Sequence, residues 1–354
     1  MPTGQRGSQA IDRKLPFPDA TVSVEYVDTK QTEALFVDNL NLRPTTVGAD
    51  GRQRFTGASS QTNALVGGFD NVIRTRNVQE GASQYVSFSF DRPFKGGWAY
   101  NVSYTHGHAT EAQTLNSSTA NSQWQFNSVF NQNTVEVARS DYEVRNRIQA
   151  SVSKEFRIRS NYVTTVSLYY EGRTGQPYSY VYSGDLNYDG FSGNDLVAVP
   201  TSPSDAHFDF SGMTQAQQDA YFAYLNASGL SRFAGGHAPR NYFTTLWQNR
   251  LDLRFVQELP TVRNVKLQLF ADFINLGSWL SHGIFNYIEE INTSTSNGGQ
   301  TRAFGNASYT TTGLIKPTAT LDANGNIFFP STSTIQAHNN DSRWKITAGI
   351  KLIF

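Results

Sequence analysis

The last stretch of the chain, residues 343–354, alternates strictly between apolar and polar positions. Its apolar positions are Trp344, Ile346, Ala348, Ile350, Leu352 and Phe354. A two-residue period predicts a β-strand with one apolar and one polar face. A strand of about 9–11 residues can cross a membrane, and aromatic residues are typical of both of its ends. The stretch meets both conditions, although a strand of a soluble β-sandwich would show the same period.

The same alternation recurs along the chain and predicts about nine long strands. The predicted strands cover residues 21–28, 34–40, 71–91, 98–105, 144–156, 162–171, 251–255, 265–273 and 343–354. Shorter β-like runs at 178–182 and 284–288 are interpreted as hairpins inside loops. One helix is predicted, over residues 214–225 and ending at Gly229.

Short and long connections alternate between the predicted strands. The short ones are residues 29–32, 93–97, 157–160 and 259–264, and the long ones are 41–68, 109–140, 172–245 and 277–342. Loops this long are uncommon in compact soluble domains, whereas transmembrane barrels combine short periplasmic turns with long extracellular loops. The pattern therefore predicts an all-β fold, an antiparallel transmembrane β-barrel whose last strand ends on the periplasmic side.

The period also predicts which side chains share a face of the sheet. The positions expected to face lipid are Val166, Leu168, Leu253, Phe255, Leu267, Leu269, Ile346 and Ile350. The positions expected to face the lumen are Lys266, Asp252, Arg254, Lys345 and Lys351. A register slip of one residue would exchange the two sets.

Composition agrees with a barrel and excludes several other classes. Hydrophobic residues make up 38% of the chain and its mean hydropathy is −0.45, so no run of about 20 apolar residues can form a membrane-spanning helix. The net charge is zero, which does not favour nucleic-acid binding. There are no cysteines, which excludes disulfides and thiolate metal sites. Residues 1–20 lack the apolar run of a signal peptide, so we expect a C-terminal fragment of a longer precursor.

One loop segment has the spacing of a cation ligand set. Asp185, Asn187 and Asp189 occupy alternate positions before Gly190, and Asp195 follows. This is the arrangement of the front half of a calcium-binding loop. The twelfth position is a leucine instead of the usual bidentate Glu. Calcium is one hypothesis, and a turn in which these side chains bond their own backbone is the other.

Signals for catalysis are weak. His106 and His108 lie two residues apart, so a strand would place both on one face, where they could share a metal. The more economical interpretation is two histidines at the polar end of a strand. The sequence contains no phosphate-binding loop, nucleophile elbow or paired-histidine helix motif. We therefore expect no enzymatic activity and no cofactor apart from a possible calcium ion.

Several stretches together resemble the Oar-like TonB-dependent outer-membrane receptors. The resembling segments are 72–81, 85–97, 98–106, Ser140-Asp141-Tyr142 with Asn146-Arg147, 170–182 with Gly175-Gln176-Pro177-Tyr178, 185–200, Pro239-Arg240-Asn241, 250–253, 270–276 and the terminal strand. They cover nearly the whole chain in the order and spacing of that family.

The resemblance implies a barrel of about 22 strands, closed by an N-terminal plug. It also implies transport across the outer membrane, driven by the TonB protein. Residues 1–354 would then be the C-terminal part of the barrel domain, without the plug, the TonB-contacting region and the first strands. Expected partners are membrane lipid, TonB through the missing region, and the barrel-assembly machinery. That machinery would recognise Trp344, Ile346, Ile350, Leu352 and the terminal Phe354.

Two alternatives stay open at this point. A small, complete porin-like barrel of about ten strands would show the same alternation without energy coupling. A secreted all-β adhesin or sandwich would also be rich in strands, but it would be soluble without detergent. The one-sided long connections favour either membrane hypothesis over the soluble one.

Overall fold

The structure is a computed structural model that describes residues 2–56, 69–158, 162–259, 266–280, 284–285, 289–291, 301–318, 335–337 and 342–353. Its strands are β1 (Thr3–Leu15), β2 (Ala20–Asn39), β3 (Pro44–Val47), β4 (Gln53–Phe55), β5 (Ile73–Val78), β6 (Gly81–Lys95), β7 (Trp98–Glu111), β8 (Ala138–Arg139), β9 (Asn146–Ile158), β10 (Tyr162–Arg173), β11 (Pro177–Tyr182), β12 (Ala198–Val199), β13 (Gly236–His237), β14 (Phe243–Thr244), β15 (Gln248–Leu259), β16 (Lys266–Ile274), β17 (Glu289–Ile291), β18 (Thr301–Tyr309), β19 (Ile315–Thr318), β20 (Ile335–Ala337) and β21 (Lys345–Ile353). The helices are α1 (Ala120–Gln125), α2 (Gln215–Ser228), α3 (Leu276–Leu280) and a 3-10 helix, Leu230–Phe233.

Nine long strands form one antiparallel ladder. Its order is β1-β2-β6-β7-β9-β10-β15-β16-β21, with β5 added beside β2 and β8 beside β7. Every neighbouring pair in the ladder is antiparallel. The prediction of an all-β antiparallel fold with about nine long strands is confirmed. Within the described residues β1 and β21 do not pair with each other, so the sheet is open.

The alternation of short and long connections is also confirmed. Short connections follow β1, β6, β9 and β15, and long ones follow β2, β7, β10 and β16. Because the ladder is antiparallel, all the short connections lie at one end of the sheet, here called the short-turn end, and the long ones lie at the other, the long-loop end. Residues 159–160 of the predicted turn 157–160 and residues 260–264 of the predicted turn 259–264 lie outside the described residues.

The predicted turn at residues 29–32 is wrong. These residues lie inside β2, where Thr29 pairs with Arg6 on one side and with Ser83 on the other. The predicted strands 21–28 and 34–40 are therefore one strand, and the first short turn is at 16–19. The prediction missed β1 because this strand has few apolar residues and shows no alternation. The polar stretch of β2 was predicted as a turn because both faces of the strand are polar there.

The register of the ladder sorts the side chains onto two faces. Leu168 lies opposite Leu253, and Leu253 lies opposite Phe273. The predicted apolar positions all share one face, here called the apolar face: Val166, Leu168, Leu253, Phe255, Leu267, Leu269, Ile346 and Ile350. The predicted polar positions share the opposite, polar face: Lys266, Asp252, Arg254, Lys345 and Lys351.

The predicted helix in the third long loop is present as α2. The hydroxyl of Thr214 accepts the backbone N–H of Gln217, and the Gln217 side chain accepts the backbone N–H of Thr214, which forms a capping box. The helix ends at Gly229, whose φ of 78° is in the left-handed region that favours glycine. Local capping signals therefore fix both ends of α2.

Candidate functional site

The third and fourth long loops pack together at the long-loop end. β11 pairs with β14 in the same loop and, in parallel, with β18 from the loop that follows β16. Buried apolar side chains form a cluster here called the loop core: Tyr178, Tyr180, Tyr182, Leu186, Val197, Ala198, Val199, Phe208, Phe210, Met213, Tyr221, Leu225, Leu230, Ala238, Phe304, Tyr309 and Ile315. Tyr180 packs edge to face on Phe243, with 4.8 Å between ring centroids. The loops thus have a packed interior like that of a soluble domain.

The predicted calcium segment is a tight turn beside the loop core. The buried carboxyl group of Asp189 accepts hydrogen bonds from the backbone N–H of Phe191 at 2.8 Å and the side-chain amide of Gln132 at 2.9 Å. The side-chain amides of Asn187 and Asn194 also donate to it, at 3.3 and 3.1 Å. Because Gln132 belongs to the second long loop, the turn is joined to a distant part of the chain.

Asp195 connects the same turn to the first long loop. Its Oδ1 accepts Nη1 of the fully buried Arg52 at 3.0 Å, and its Oδ2 accepts the backbone N–H of Leu186 at 2.7 Å. Nε of Arg52 donates to Asp50 at 3.3 Å, and its guanidinium lies 4.4 Å from the ring centroid of Phe130. These contacts join the first, second and third long loops. Removing one partner of the buried ion pair would leave an uncompensated charge.

The carboxyl groups of this turn influence one another. Burial, together with the neighbouring carboxyl of Asp195, raises the pKa of Asp189 to about 8 and that of Asp185 to about 6. Asp185 accepts the backbone N–H of Asp189 at 3.0 Å. No three Asp, Glu or His side chains of the described residues converge in a geometry that could hold a metal ion. The contacts match the self-bonded turn, and calcium binding by Asp185, Asn187, Asp189 and Asp195 stays a prediction.

The two histidines lie on one face of β7, as predicted, but they have separate partners. Nδ1 of His106 lies 2.8 Å from Oδ1 of Asn146. Nδ1 of His108 lies 2.7 Å from Oε2 of Glu143, whose side chain is fully buried. The geometry matches two histidines at the polar end of a strand.

A cavity of approximately 780 Å³ opens beside His108, lined by residues from the end of the sheet and from the long loops. Its wall includes Arg139, Arg145, Arg232 and Arg240. Tyr178, Tyr242 and Phe243 give it an aromatic side. Small-molecule sites in proteins typically have volumes of about 300–1,000 Å³ and combine aromatic walls with a few polar groups. This cavity is therefore a candidate ligand site within the described residues.

This cavity was not predicted from the sequence. Its arginines come from the second and third long loops, and no local motif joins them. A signal is present in residues 139–145, where Arg139, Glu143 and Arg145 alternate in charge within seven positions. Arg240 belongs to the segment Pro239-Arg240-Asn241, whose only sequence signal is its resemblance to a receptor family. The loop packing that unites these residues is a tertiary feature.

The terminal strand β21 is exposed and has a free edge. Trp344, Ile346, Ile350 and Leu352 are 52, 53, 68 and 53% exposed. β21 pairs with β16, and its other edge has no partner within the described residues. Phe354 lies outside the described residues. The strand therefore offers both an apolar face and unpaired backbone groups, while its role as an assembly signal stays a prediction.

These features define a class of protein. An antiparallel sheet with one apolar face, short turns at one end and long loops at the other is the architecture of an outer-membrane β-barrel. The family described as "Outer membrane beta barrel domain" matches residues 2–313. The chain belongs to this family, and its location is the cell outer membrane.

The predicted fold class and location are thereby confirmed. No curated protein matches the chain, and no solved structure does. None of the helices in the described part of the chain is long and apolar enough to cross a membrane.

Proposed function

We propose that this chain is the C-terminal barrel portion of a TonB-dependent outer-membrane receptor, whose parent protein takes up a ligand. The open ladder is the observation that supports the proposal. β1 and β21 each leave one edge without a partner in the described residues, and lipid does not tolerate unpaired backbone groups. Bacterial single-chain barrels also have an even number of strands, whereas the ladder formed by the described residues has nine.

In this proposal the parent protein supplies the strands that close the barrel, the plug and the segment that contacts TonB. Lipid covers the apolar face of the sheet. The assembly machinery recognises β21, with Trp344, Ile346, Ile350 and Leu352, together with Phe354. The chain itself carries out no chemical reaction and binds no nucleic acid.

The long loops are the part of this chain that meets the ligand first. The loops at 172–245 and 277–342 are extracellular in this proposal, and the first of them supplies much of the cavity wall. Deletion of either loop from the parent protein should reduce uptake while the barrel still assembles. Unchanged uptake after both deletions would move ligand recognition to the plug.

Two measurements test the proposal. The parent protein should bind the purified periplasmic domain of TonB, whereas the 354-residue chain should not. In planar lipid bilayers the 354-residue chain should give no discrete, stable channels, because its sheet cannot close. Discrete channels formed by this chain alone would contradict the proposal and support a small, complete porin-like barrel.

A further inference from the structure

The cavity beside His108 presents positive charge at the long-loop end. Its wall contains four arginines, and no Asp or Glu of the described residues lines it. Acidic side chains lie nearby but behind the wall. A cavity whose charged lining groups are all cationic attracts anions.

Arg139 and Arg145 are held in position from behind the wall. Their Nε atoms both donate to Oε1 of the buried Glu143, at 2.6 and 3.0 Å. Because only the Nε edge contacts Glu143, the outer nitrogens of each guanidinium remain for another acceptor. Nη2 of Arg139 is buried without a hydrogen-bond partner in the described part of the chain. Burial lowers the pKa of Arg139, and the like charge of Arg145 acts in the same direction, while Glu143 opposes both.

Arg240 is a buried cation held by neutral groups. Its Nη1 donates to Oδ1 of Asn127 at 2.6 Å, and its Nη2 donates to the backbone carbonyls of Glu111 and Glu136 at 3.1 and 3.3 Å. No carboxylate of the described residues lies within ion-pair distance of it. Burial lowers the pKa of Arg240, and the nearby carboxyl groups of Glu111, Asp141 and Glu136 oppose this shift. Burial also raises the pKa of Asp141 to about 7. Because Arg240 has no direct ion-pair partner among the described residues, an anion in the cavity would be attracted to its charge.

Exposed side chains of the wall are available to a ligand. The side chain of Arg145 is 43% exposed and that of His108 is 57% exposed. Arg232 lies in the last turn of the 3-10 helix, is exposed, and has no ion-pair partner among the described residues. A planar guanidinium binds phosphate and carboxylate groups through two parallel hydrogen bonds.

We propose that this cavity binds a small organic oxyanion, that is, a phosphate or carboxylate group on a compact carbon body. Arg145 and Arg232 contact the charged group, Arg139 and Arg240 supply the field behind it, and the rings of Tyr242 and Phe243 pack against the carbon body. The inference names the ligand class for the uptake function proposed above and rests on that function for its biological role. Binding itself requires no transport.

The phosphate could belong to a soluble molecule or to a lipid headgroup. His108 and Thr110 continue the face of β7 that carries Val102 and Tyr104, so part of the cavity wall lies directly beyond the apolar face. The chemistry recognised by the arginines is the same in both cases.

The test measures binding by the full chain in detergent micelles, by titration calorimetry. One arm adds glucose 1-phosphate, and the other adds micelles doped with diphosphorylated lipid A. The double variant Arg145→Gln/Arg232→Gln removes both contacting cations. Arg147→Gln is the matched control, because Arg147 is also 43% exposed, pairs with Glu171 at 3.1 Å and does not line the cavity. Far-ultraviolet circular dichroism confirms that each protein retains its strand content.

We expect at least one probe to bind the unmodified chain. We expect the double variant to bind this probe at least about tenfold more weakly, because hydrogen bonds to charged groups contribute on this scale. Arg147→Gln should leave the affinity unchanged within about twofold, as surface ion pairs contribute little.

Binding of glucose 1-phosphate alone would assign a soluble ligand, and binding of lipid A alone would assign a membrane lipid. No binding of either probe, no loss in the double variant, or an equal loss in Arg147→Gln would overturn the inference. None of these outcomes depends on TonB, so the two proposals fail separately.

Discussion

The sheet and the long loops of this protein keep their apolar side chains away from water in two different ways. On the apolar face of the sheet Ile346 and Ile350 are 53 and 68% exposed, whereas in the loop core Leu230 and Ile315 are fully buried. These side chains of the sheet stay exposed in the protein because the membrane covers the apolar face. The loops have no membrane around them and must bury their apolar residues against one another. A single chain is thus adapted to two solvents.

Polar groups differ between the two regions in the same way. On the polar face of the sheet, hydroxyls pair across neighbouring strands, for example Ser153 with Ser167 at 2.8 Å. These side chains are part-buried and would line the lumen. In the loops, polar groups such as those of Arg52 and Asp195 are fully buried and bonded to each other. Polar side chains of the sheet would therefore contact water in the lumen, whereas buried polar pairs in the loops stabilise one tertiary structure.

The largest effect should come from a cavity in the loop core. Leu230→Ala removes a fully buried side chain, and such changes destabilise proteins by about 2–5 kcal/mol. We expect the loops to become sensitive to protease while the strands stay protected from hydrogen exchange. Leu246→Ala is the control, because Leu246 is 61% exposed in the same loop. Equal effects of the two variants would contradict a self-contained loop core.

A charge on the apolar face of the sheet should act through the membrane. Leu269→Arg places a cation in lipid, at about 2–4 kcal/mol near mid-bilayer, whereas Lys266→Arg keeps a cation on the polar face. We expect Leu269→Arg to lower the yield of folding into liposomes and Lys266→Arg to leave it unchanged. Equal yields would show that the two faces have been assigned the wrong way round.

The sequence reveals most of the sheet because alternation is a local property. β21 and β16 were predicted from their own residues, and α2 from Thr214 and Gly229. β1 was not predicted, because its residues are polar and its position is set by pairing with β2. An edge strand of this kind is defined by its neighbour and not by its own pattern.

Much less of the candidate site than of the sheet could be predicted from the sequence. The turn at residues 185–196 was found through its spacing, since Asx turns and cation loops both depend on local geometry. The arginines of the cavity meet only because three segments pack beside β7. Buried polar contacts between distant loops, such as Arg52 with Asp195, leave no periodic trace in the sequence.

Loss of Phe354 should affect delivery more than stability. A terminal aromatic side chain contributes roughly 1.5–3 kcal/mol at most through burial in lipid. We expect deletion of Phe354 from the parent protein to lower its amount in the outer membrane several-fold, while refolding from urea into detergent stays nearly normal. Full delivery of the variant, or failure only in refolding, would make β21 an ordinary structural strand.

The smallest effect should come from a surface turn of the loops. Burial opposes ionisation of Asp205, but hydrogen bonds from Thr201 and His207 outweigh it and lower its pKa to about 2. Because the pKa is lowered on folding, the stabilisation is present above the unfolded value of 3.8 and is lost as the pH falls towards 2. We expect Asp205→Asn to melt below the unmodified chain at pH 6, with the gap closing by pH 2. A gap that does not depend on pH would rule out this role.

A cysteine scan along β16 tests the two-solvent account most directly. The chain has no cysteine of its own, so single substitutions from Lys266 to Ile274 can each carry one nitroxide label in liposomes. Electron paramagnetic resonance then compares collisions with oxygen, which concentrates in lipid, and with a water-soluble nickel complex. The account predicts that labels at Leu267, Leu269 and Ala271 collide mainly with oxygen, and that labels at Gln268 and Asp272 collide mainly with nickel. Equal accessibility at successive positions, or the opposite alternation, would contradict it.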